Sequence, residues 1–225
     1  MNLLKFYINS SEKEFISIDE DISEITLFEN IKINFEGVNK YILINDCFDY
    51  TIDVLKNMLK EAINNKLPLH KSLINKNKNS LIGYQWSQYL QKRKRKSLVY
   101  DRTRGGIQWV GYLHNLFETS HGIDRPASWL YNDEHGNIIL EITPVYPWFS
   151  SKPEAGETFV KYSEWMKSYK PLLIRTISKE TAQQWLKQID ELIEVVKAND
   201  ERTKCTGLGC LHCAKEGKTG CPCGS

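Results

Sequence analysis

The stretch Ala127–Trp148, ASWLYNDEHGNIILEITPVYPW, decides the fold of this 225-residue chain. Two runs rich in β-branched and aromatic residues, 128–132 and 137–143, flank the polar segment 133–136. Two such runs joined by about four polar residues are typical of a β-hairpin. The sequence therefore predicts a pair of antiparallel strands that ends before Pro144, because proline cannot donate a hydrogen bond within a sheet.

The second predicted strand of this hairpin has apolar side chains on both faces. Because strand side chains alternate, one face carries Ile138, Leu140 and Ile142. The other face carries Ile139, Glu141, Thr143 and Val145. A strand that is partly apolar on both faces is typical of the middle of a sheet, so we expect neighbouring strands on both sides.

The remaining elements are predicted from hydrophobic periodicity. Candidate strands cover 3–8, 14–18, 31–35, 41–44, 81–90, 97–100 and 107–113. Candidate helices cover 50–64, 163–169 and 178–198, and the predicted N-caps of the first and the last are Asp49 and Ser178. This order of elements predicts an α+β fold, in which a mostly antiparallel sheet has helices packed on one face.

The chain is expected to have two parts, a single α+β domain over 1–198 and a Cys/Gly-rich tail over 199–225. No run approaches the roughly 20 consecutive apolar residues of a membrane-spanning helix. The first residues also lack the apolar run and the cleavage site of a secretory signal. We therefore expect a cytoplasmic protein without membrane contact.

Charge is distributed unevenly along the chain, although the net charge is only +2. Residues 1–60 carry 6 basic and 11 acidic side chains, whereas residues 61–110 carry 11 basic and 2 acidic ones. An acidic region beside a basic one predicts a dipolar surface that suits an electrostatically steered partner. The alternative is that these charges belong to solvated loops.

Two short segments concentrate the charge. The acidic segment carries Asp19, Glu20, Asp21 and Glu24, and the basic one carries Lys92, Arg93, Lys94, Arg95 and Lys96, followed by Arg102 and Arg104. The acidic segment has three interpretations: a solvated loop, a divalent-cation site without EF-hand spacing, and a partner-binding patch. The basic run is either a solvated loop that protects a sheet edge or a contact for an acidic protein or a nucleic acid.

Five of the six cysteines lie in the tail, with one histidine among them. The candidate metal ligands are Cys205, Cys210, His212, Cys213, Cys221 and Cys223. Thiolates together with an imidazole favour zinc, which usually takes four such ligands. The other interpretations are a redox-reactive tail and an unstructured extension without a function. The last five residues, CPCGS, resemble the start of the SEC-C metal-binding motif, which favours metal but implies no further function.

The sequence has no motif that indicates an enzyme, since it contains no P-loop, no dinucleotide-binding glycine pattern and no GxSxG motif. His114 and His121, near Glu118 and Asp124, suit acid–base chemistry or a metal, but their six-residue gap is not a zinc-protease spacing. We instead expect a half-buried His114, a loop position for His121, and a protein that is not an enzyme.

Two segments resemble small bacterial immunity proteins, which block toxins used in competition between neighbouring cells. They are Ala127–Trp148 and 164–194, EWMKSYKPLLIRTISKETAQQWLKQIDELIE, within a resemblance over roughly 83–194. Placements of Trp, Tyr and Pro carry it, so it implies a scaffold and a toxin-like protein partner but no functional residue. The alternatives are a zinc-dependent module built on the tail and a nucleic-acid binder that uses the basic run.

Overall fold

The computed structural model describes residues 4–9, 13–74, 81–92, 98–101, 106–117, 126–148, 153 and 155–205, with the backbone alone for 92, 98–101, 106–108 and 202–205. The strands are β1 (Leu4–Tyr7), β2 (Phe15–Ile18), β3 (Asn30–Glu36), β4 (Lys40–Cys47), β5 (Leu98–Asp101), β6 (Gly106–Trp109), β7 (Asn115–Phe117), β8 (Ala127–Asn132), β9 (Ile138–Thr143) and β10 (Leu173–Ile177). The helices are α1 (Phe48–Ile63), α2 (Ile82–Lys92), α3 (Tyr162–Trp165) and α4 (Lys179–Cys205), and Val110–His114 forms a 3-10 helix. The α+β prediction is confirmed.

The first sheet contains the four strands that open the chain. Their order is β1-β2-β3-β4, and each neighbouring pair is antiparallel. The pairing shifts between Ile33 and Asn34 of β3, which marks a bulge where β4 has one extra residue. Phe6, Ile16 and Ile33 are completely buried, so one face of this sheet lies in the core. The predicted opening strands are therefore confirmed.

The second sheet is built around the predicted hairpin. Its order is β10-β9-β8-β7, so both hairpin strands have neighbours on both sides, and every residue of these two strands is buried. The loop between them is Asp133–Asn137, one residue longer than expected. The carboxylate of Asp133 accepts hydrogen bonds from the backbone N–H groups of His135 (2.9 Å) and Asn137 (2.8 Å), and Gly136 takes a φ of 79°. These contacts close the turn.

The second sheet separates two hydrophobic clusters. Ile138, Leu140 and Ile142 lie in the larger cluster, together with the first sheet, α1 and α4. On the opposite face Trp129 packs with Ile82 and Trp86 of α2 in a smaller, aromatic cluster. The alternation predicted for β9 is therefore confirmed. Helices α1 and α4 share one face of this sheet, and α2 covers the other.

The predicted strand over 81–90 is wrong, because this segment forms most of helix α2. Ile82 and Trp86, four residues apart, lie on one face of the helix and are buried. The carboxylate of Glu141 in β9 accepts hydrogen bonds from the backbone N–H groups of Ile82 (3.2 Å) and Gly83 (2.9 Å). Since the first N–H groups of a helix need acceptors from outside it, this contact favours a helix over a strand.

The two predicted N-caps have different outcomes. Ser178 caps α4 as predicted, because its Oγ accepts a hydrogen bond from the N–H of Thr181 at 3.1 Å. Asp49 is not an N-cap: it lies in the first turn of α1, and Cys47 occupies the cap position without a side-chain hydrogen bond to the helix N–H groups. A carboxylate in the first turn still interacts favourably with the helix dipole.

The other predicted elements differ from the observed ones in where they begin or end. The strand predicted over 107–113 ends at Trp109, and the chain continues as the 3-10 helix, while α3 is shorter than the predicted 163–169. Helix α4 runs on to Cys205 and so crosses the expected division after residue 198. Among the described helices, none is both long and apolar enough to cross a membrane.

Candidate functional site

The acidic segment is part of the loop 19–29, and this loop packs against the start of α1. Two of its carbonyls accept hydrogen bonds from the first N–H groups of this helix: Phe48 donates to Glu29 (2.8 Å) and Asp49 donates to Leu27 (3.2 Å). A helix start otherwise leaves these donors without a partner within the helix. The loop 19–29 therefore supplies the capping contacts that the side chain of Cys47 does not make.

Helix α4 also holds this loop. The side-chain amide of Asn199, which is 4% exposed, donates hydrogen bonds to the carbonyls of Ile22 (2.9 Å) and Ile25 (3.0 Å). The side chain of Ile25 is buried in the larger cluster. The loop backbone is therefore fixed between α1 and α4.

Two large aromatic side chains are exposed here, one on the loop and one in the first turn of α1. Phe28 is 78% exposed and Tyr50 is 46% exposed. The segments 19–31 and 41–55 carry eight acidic and no basic side chains, and four of the acidic ones are exposed: Glu24, Glu29, Asp49 and Asp53. We call Phe28, Tyr50 and these four carboxylates the acidic–aromatic end.

The four acidic residues predicted as a partner patch have different local contacts. Glu20 accepts hydrogen bonds from the backbone N–H of Lys32 at 2.9 and 3.0 Å. Asp21 accepts from the N–H (3.2 Å) and the hydroxyl (2.8 Å) of Ser23, and Asp19 lies 3.6 Å from the Lys40 ammonium. Glu24 is exposed. Three of these carboxylates thus support the loop, while Glu24 faces solvent.

Most of the other predicted site residues lie outside the described residues: Arg93, Lys94, Arg95, Lys96, Arg102, Arg104, Cys210, His212, Cys213, Cys221 and Cys223. Lys92 is the last residue of α2 and Cys205 the last of α4, each described by its backbone alone. In the described part of the chain, no group of three or more His, Cys, Asp and Glu side chains is placed to hold a metal ion. The zinc prediction for the tail and the contact prediction for the basic run stay predictions.

His114 is buried more deeply than expected. It ends the 3-10 helix, is 3% exposed and lies edge-on to the ring of Tyr131, with 6.4 Å between the ring centroids. Burial, and to a smaller extent the nearby His70, lower the pKa of His114 to about 4. The imidazole is therefore neutral at pH 7. His121, its predicted companion, lies outside the described residues.

Glu141 is a buried carboxylate to which the sequence alone assigned no role. Its side chain is completely buried, and it accepts a hydrogen bond from the Tyr131 hydroxyl (3.1 Å) in addition to the two N–H groups of α2. Burial raises the pKa of Glu141 to about 7, although these hydrogen bonds favour the charged form. This carboxylate joins β9 to the start of α2, and its burial leaves no access for a substrate.

A signal for Glu141 was present in the sequence. A carboxylate in the middle of a buried strand is costly unless hydrogen-bond donors surround it, so its position on β9 predicts a partner element on that face.

Comparisons with known proteins add no assignment, because no protein-family model, curated protein or solved structure matches the chain. The acidic–aromatic end is the candidate functional site that the geometry favours most.

Proposed function

We propose that this chain is a non-enzymatic binding protein that binds a basic protein partner through the acidic–aromatic end. We further propose that it is an immunity protein, which neutralises a bacterial toxin in the cytoplasm. The observation that carries the binding role is Phe28, a 78% exposed aromatic side chain in a loop that is held by the start of α1 and whose sequence carries acidic and no basic side chains. The toxin-neutralising role rests on the resemblance of residues 83–194 to immunity proteins.

The physics of interfaces supports this choice of face. Binding energy in protein interfaces concentrates in a few aromatic or Arg side chains, which a polar rim surrounds. Because the loop backbone is already fixed, binding through Phe28 requires little additional ordering. The carboxylates attract a basic partner at long range and disfavour acidic ones.

The test begins with a search of the genes that flank this one for a basic protein, which then serves as the partner of the full-length chain. Replacement Phe28→Ala should weaken binding at least about tenfold, because it removes the central aromatic contact. The double replacement Glu24→Lys/Asp49→Lys should slow association and reduce its dependence on salt, since the steering charge is reversed. Surface plasmon resonance at low and high salt measures both effects.

Two control variants carry matched changes elsewhere on the surface. Val38→Ala removes an apolar side chain that is 96% exposed, and Glu134→Lys reverses a carboxylate that is 76% exposed in the hairpin loop. Both should bind like the wild type. Equal binding by Phe28→Ala and the wild type would exclude the acidic–aromatic end, whereas binding without protection of cells that express the partner would exclude the immunity role.

We also propose that the tail binds zinc, because five cysteines and one histidine lie within the last 21 residues. Reduced full-length protein should contain about one zinc per chain, and Cys210→Ser/Cys213→Ser should lose it. Elemental analysis measures this content. Equal zinc in both proteins, or none in either, would contradict the proposal.

A further inference from the structure

Helix α2 covers a buried carboxylate that has no positive charge beside it. Glu141 is completely buried at the start of this helix. Its three hydrogen-bond donors are neutral: the N–H groups of Ile82 (3.2 Å) and Gly83 (2.9 Å), and the hydroxyl of Tyr131 (3.1 Å). Among the described residues, no Lys, Arg or His side chain forms an ion pair with it. The ionised carboxylate lacks both water and an opposite charge, so ionisation is costly while α2 stays in place.

The titratable groups that surround Glu141 are tyrosines. Tyr131 lies on β8, and Tyr169 follows α3; burial, and to a smaller extent the charge of Glu141, raises the pKa of both hydroxyls. Helix α2 contributes Tyr84, whose ring lies edge-on to that of Tyr169 with 5.4 Å between the centroids. On β10 the residue paired with Glu141 is the apolar Ile174. Tyrosine hydroxyls ionise near pH 10, so Glu141 is the group of this cluster that changes charge near neutral pH.

A second polar group is buried by α2 without a partner. The indole N–H of Trp86 has no hydrogen-bond acceptor in the structure, which is unusual for a buried donor. The side chain of Trp86 lies among the rings of Trp109, Tyr112 and Trp129. These aromatic contacts hold α2 in place, whereas the buried indole N–H and the buried carboxylate of Glu141 both favour its release into water.

We infer that α2 is a pH-sensitive lid, which opens as a unit while the rest of the fold stays intact, and that ionisation of Glu141 favours the open state. Local opening of a short element requires less free energy than global unfolding, and α2 has 11 residues. The open state returns Glu141 and the indole N–H of Trp86 to water and uncovers the aromatic face of β8 at Trp129. This face lies across the second sheet from α1, so the lid is separate from the acidic–aromatic end.

The direction of the pH effect follows from proton linkage. In the closed state burial raises the pKa of Glu141 to about 7, and in the open state the pKa returns towards its ordinary value of 4.5. The closed state therefore keeps a proton that the open state loses, so opening becomes more favourable as pH rises through this window. With these two values the equilibrium constant for opening increases about 25-fold from pH 5.5 to pH 8.

The test is native-state hydrogen exchange of the full-length protein, followed for each amide by nuclear magnetic resonance. Dividing each exchange rate by the intrinsic rate at the same pH gives the equilibrium constant for opening. Amides 86–91 of α2 should open more often than amides 183–196 of α4, and with little dependence on denaturant, because little surface is exposed. Their opening constant should rise about 25-fold from pH 5.5 to pH 8. His114 stays neutral in the folded protein over this range, because its pKa is about 4.

Three variants assign the pH response to Glu141. Glu141→Gln keeps the shape of the side chain without its titration, so the opening of α2 should no longer depend on pH. Tyr131→Phe removes a hydrogen bond that favours the charged form, so the pKa of Glu141 should rise and the increase in opening should continue to higher pH. The control Glu134→Gln, at a side chain 76% exposed in the hairpin loop, should respond like the wild type.

Three results would overturn the inference. They are equal opening of α2 and α4 at every pH, an opening constant of α2 that does not change with pH, and one that falls as pH rises. If Glu141→Gln does not fold, the Tyr131→Phe response and the titration of the Glu141 carboxyl carbon in the wild type decide, and a midpoint near pH 4.5 excludes the lid. Each of these results leaves the proposal for the acidic–aromatic end untouched, since that proposal is measured with a protein partner.

Discussion

The two faces of strand β9 are held by different kinds of interaction. On one face Ile138, Leu140 and Ile142 pack into the larger cluster by apolar contact alone. On the other face Glu141 bonds to the start of α2, and Thr143 accepts a hydrogen bond from the indole N–H of Trp129 at 3.1 Å. Apolar packing tolerates other residues of similar volume, whereas hydrogen-bonded networks require particular partners. The same strand therefore has an apolar face, which tolerates substitution, and a specific face, which does not.

Helix α2 depends on the specific face. Its Trp86 contacts the rings of Trp109, Tyr112 and Trp129, with centroid distances of 5.1 to 5.8 Å. Its first N–H groups depend on the single carboxylate of Glu141. A change on the apolar face should therefore reduce global stability, and a change on the specific face should act first on α2.

The largest effect is expected on the apolar face. Leu140 is completely buried, so Leu140→Ala should lower the free energy of unfolding by about 4 kcal/mol through lost apolar contact and a residual cavity. Chemical denaturation followed by circular dichroism measures the loss. The control Ile174→Ala, at a side chain 38% exposed on β10, should cost less than about 1 kcal/mol. A loss below about 1 kcal/mol for Leu140→Ala would contradict this account of the core.

The next effect is a pH dependence in which two buried groups oppose each other. The pKa of Glu141 is raised from 4.5 to about 7, so the folded protein keeps a proton that the unfolded chain loses, and stability falls as pH rises across this window. The pKa of His114 is lowered from 6.5 to about 4, so stability falls as pH drops from 6.5 towards 4. Between about pH 4.5 and 6.5 the two contributions cancel in part.

Single variants should expose each contribution. Glu141→Gln should leave the His114 contribution, so that the unfolding free energy rises by about 3 kcal/mol from pH 4 to 6.5. His114→Phe should leave the Glu141 contribution, with a fall of about 3 kcal/mol from pH 4.5 to 7. Denaturation at a series of pH values measures both slopes. Slopes of the same sign in the two variants would show that these groups do not titrate as proposed.

A smaller effect is expected where α2 approaches β9 most closely. A Cβ atom on Gly83 would lie 2.3 to 2.6 Å from the side-chain atoms of Thr143, so Gly83→Ala should destabilise the protein by about 2 kcal/mol. Helix propensity alone predicts the opposite sign, because Ala favours helices over Gly by about 1 kcal/mol. Hydrogen exchange should show a loss of protection first at amides 84–92. Gln88→Ala in the same helix is the control, and a stabilising Gly83→Ala would disprove the close contact.

The two faces also differ in how far they could be predicted from the sequence. The alternation of β9 predicted its apolar face and its interior place in the sheet, because every second residue is apolar and the turn lies beside it. Helix α2 was predicted as a strand, because the carboxylate that satisfies its first N–H groups comes from Glu141, 58 and 59 residues further along the chain. The acidic segment was recognised, but not the exposure of Phe28, since exposure depends on the contacts with α1 and α4.

The smallest effect separates shape from hydrogen bonding on the specific face. Thr143→Val keeps the volume of the side chain but leaves the indole N–H of Trp129 without its acceptor at 3.1 Å. We expect the free energy of unfolding to fall by about 1 kcal/mol, because a buried donor loses its partner while packing is retained. Thr176→Val, at an exposed position of β10 in the same sheet, is the matched control and should change stability by less than about 0.5 kcal/mol. If both variants lower the free energy of unfolding by the same amount, Thr143 is held by packing, as the residues of the apolar face are. The carboxylate of Glu141 then remains as the polar contact that distinguishes the two faces of β9.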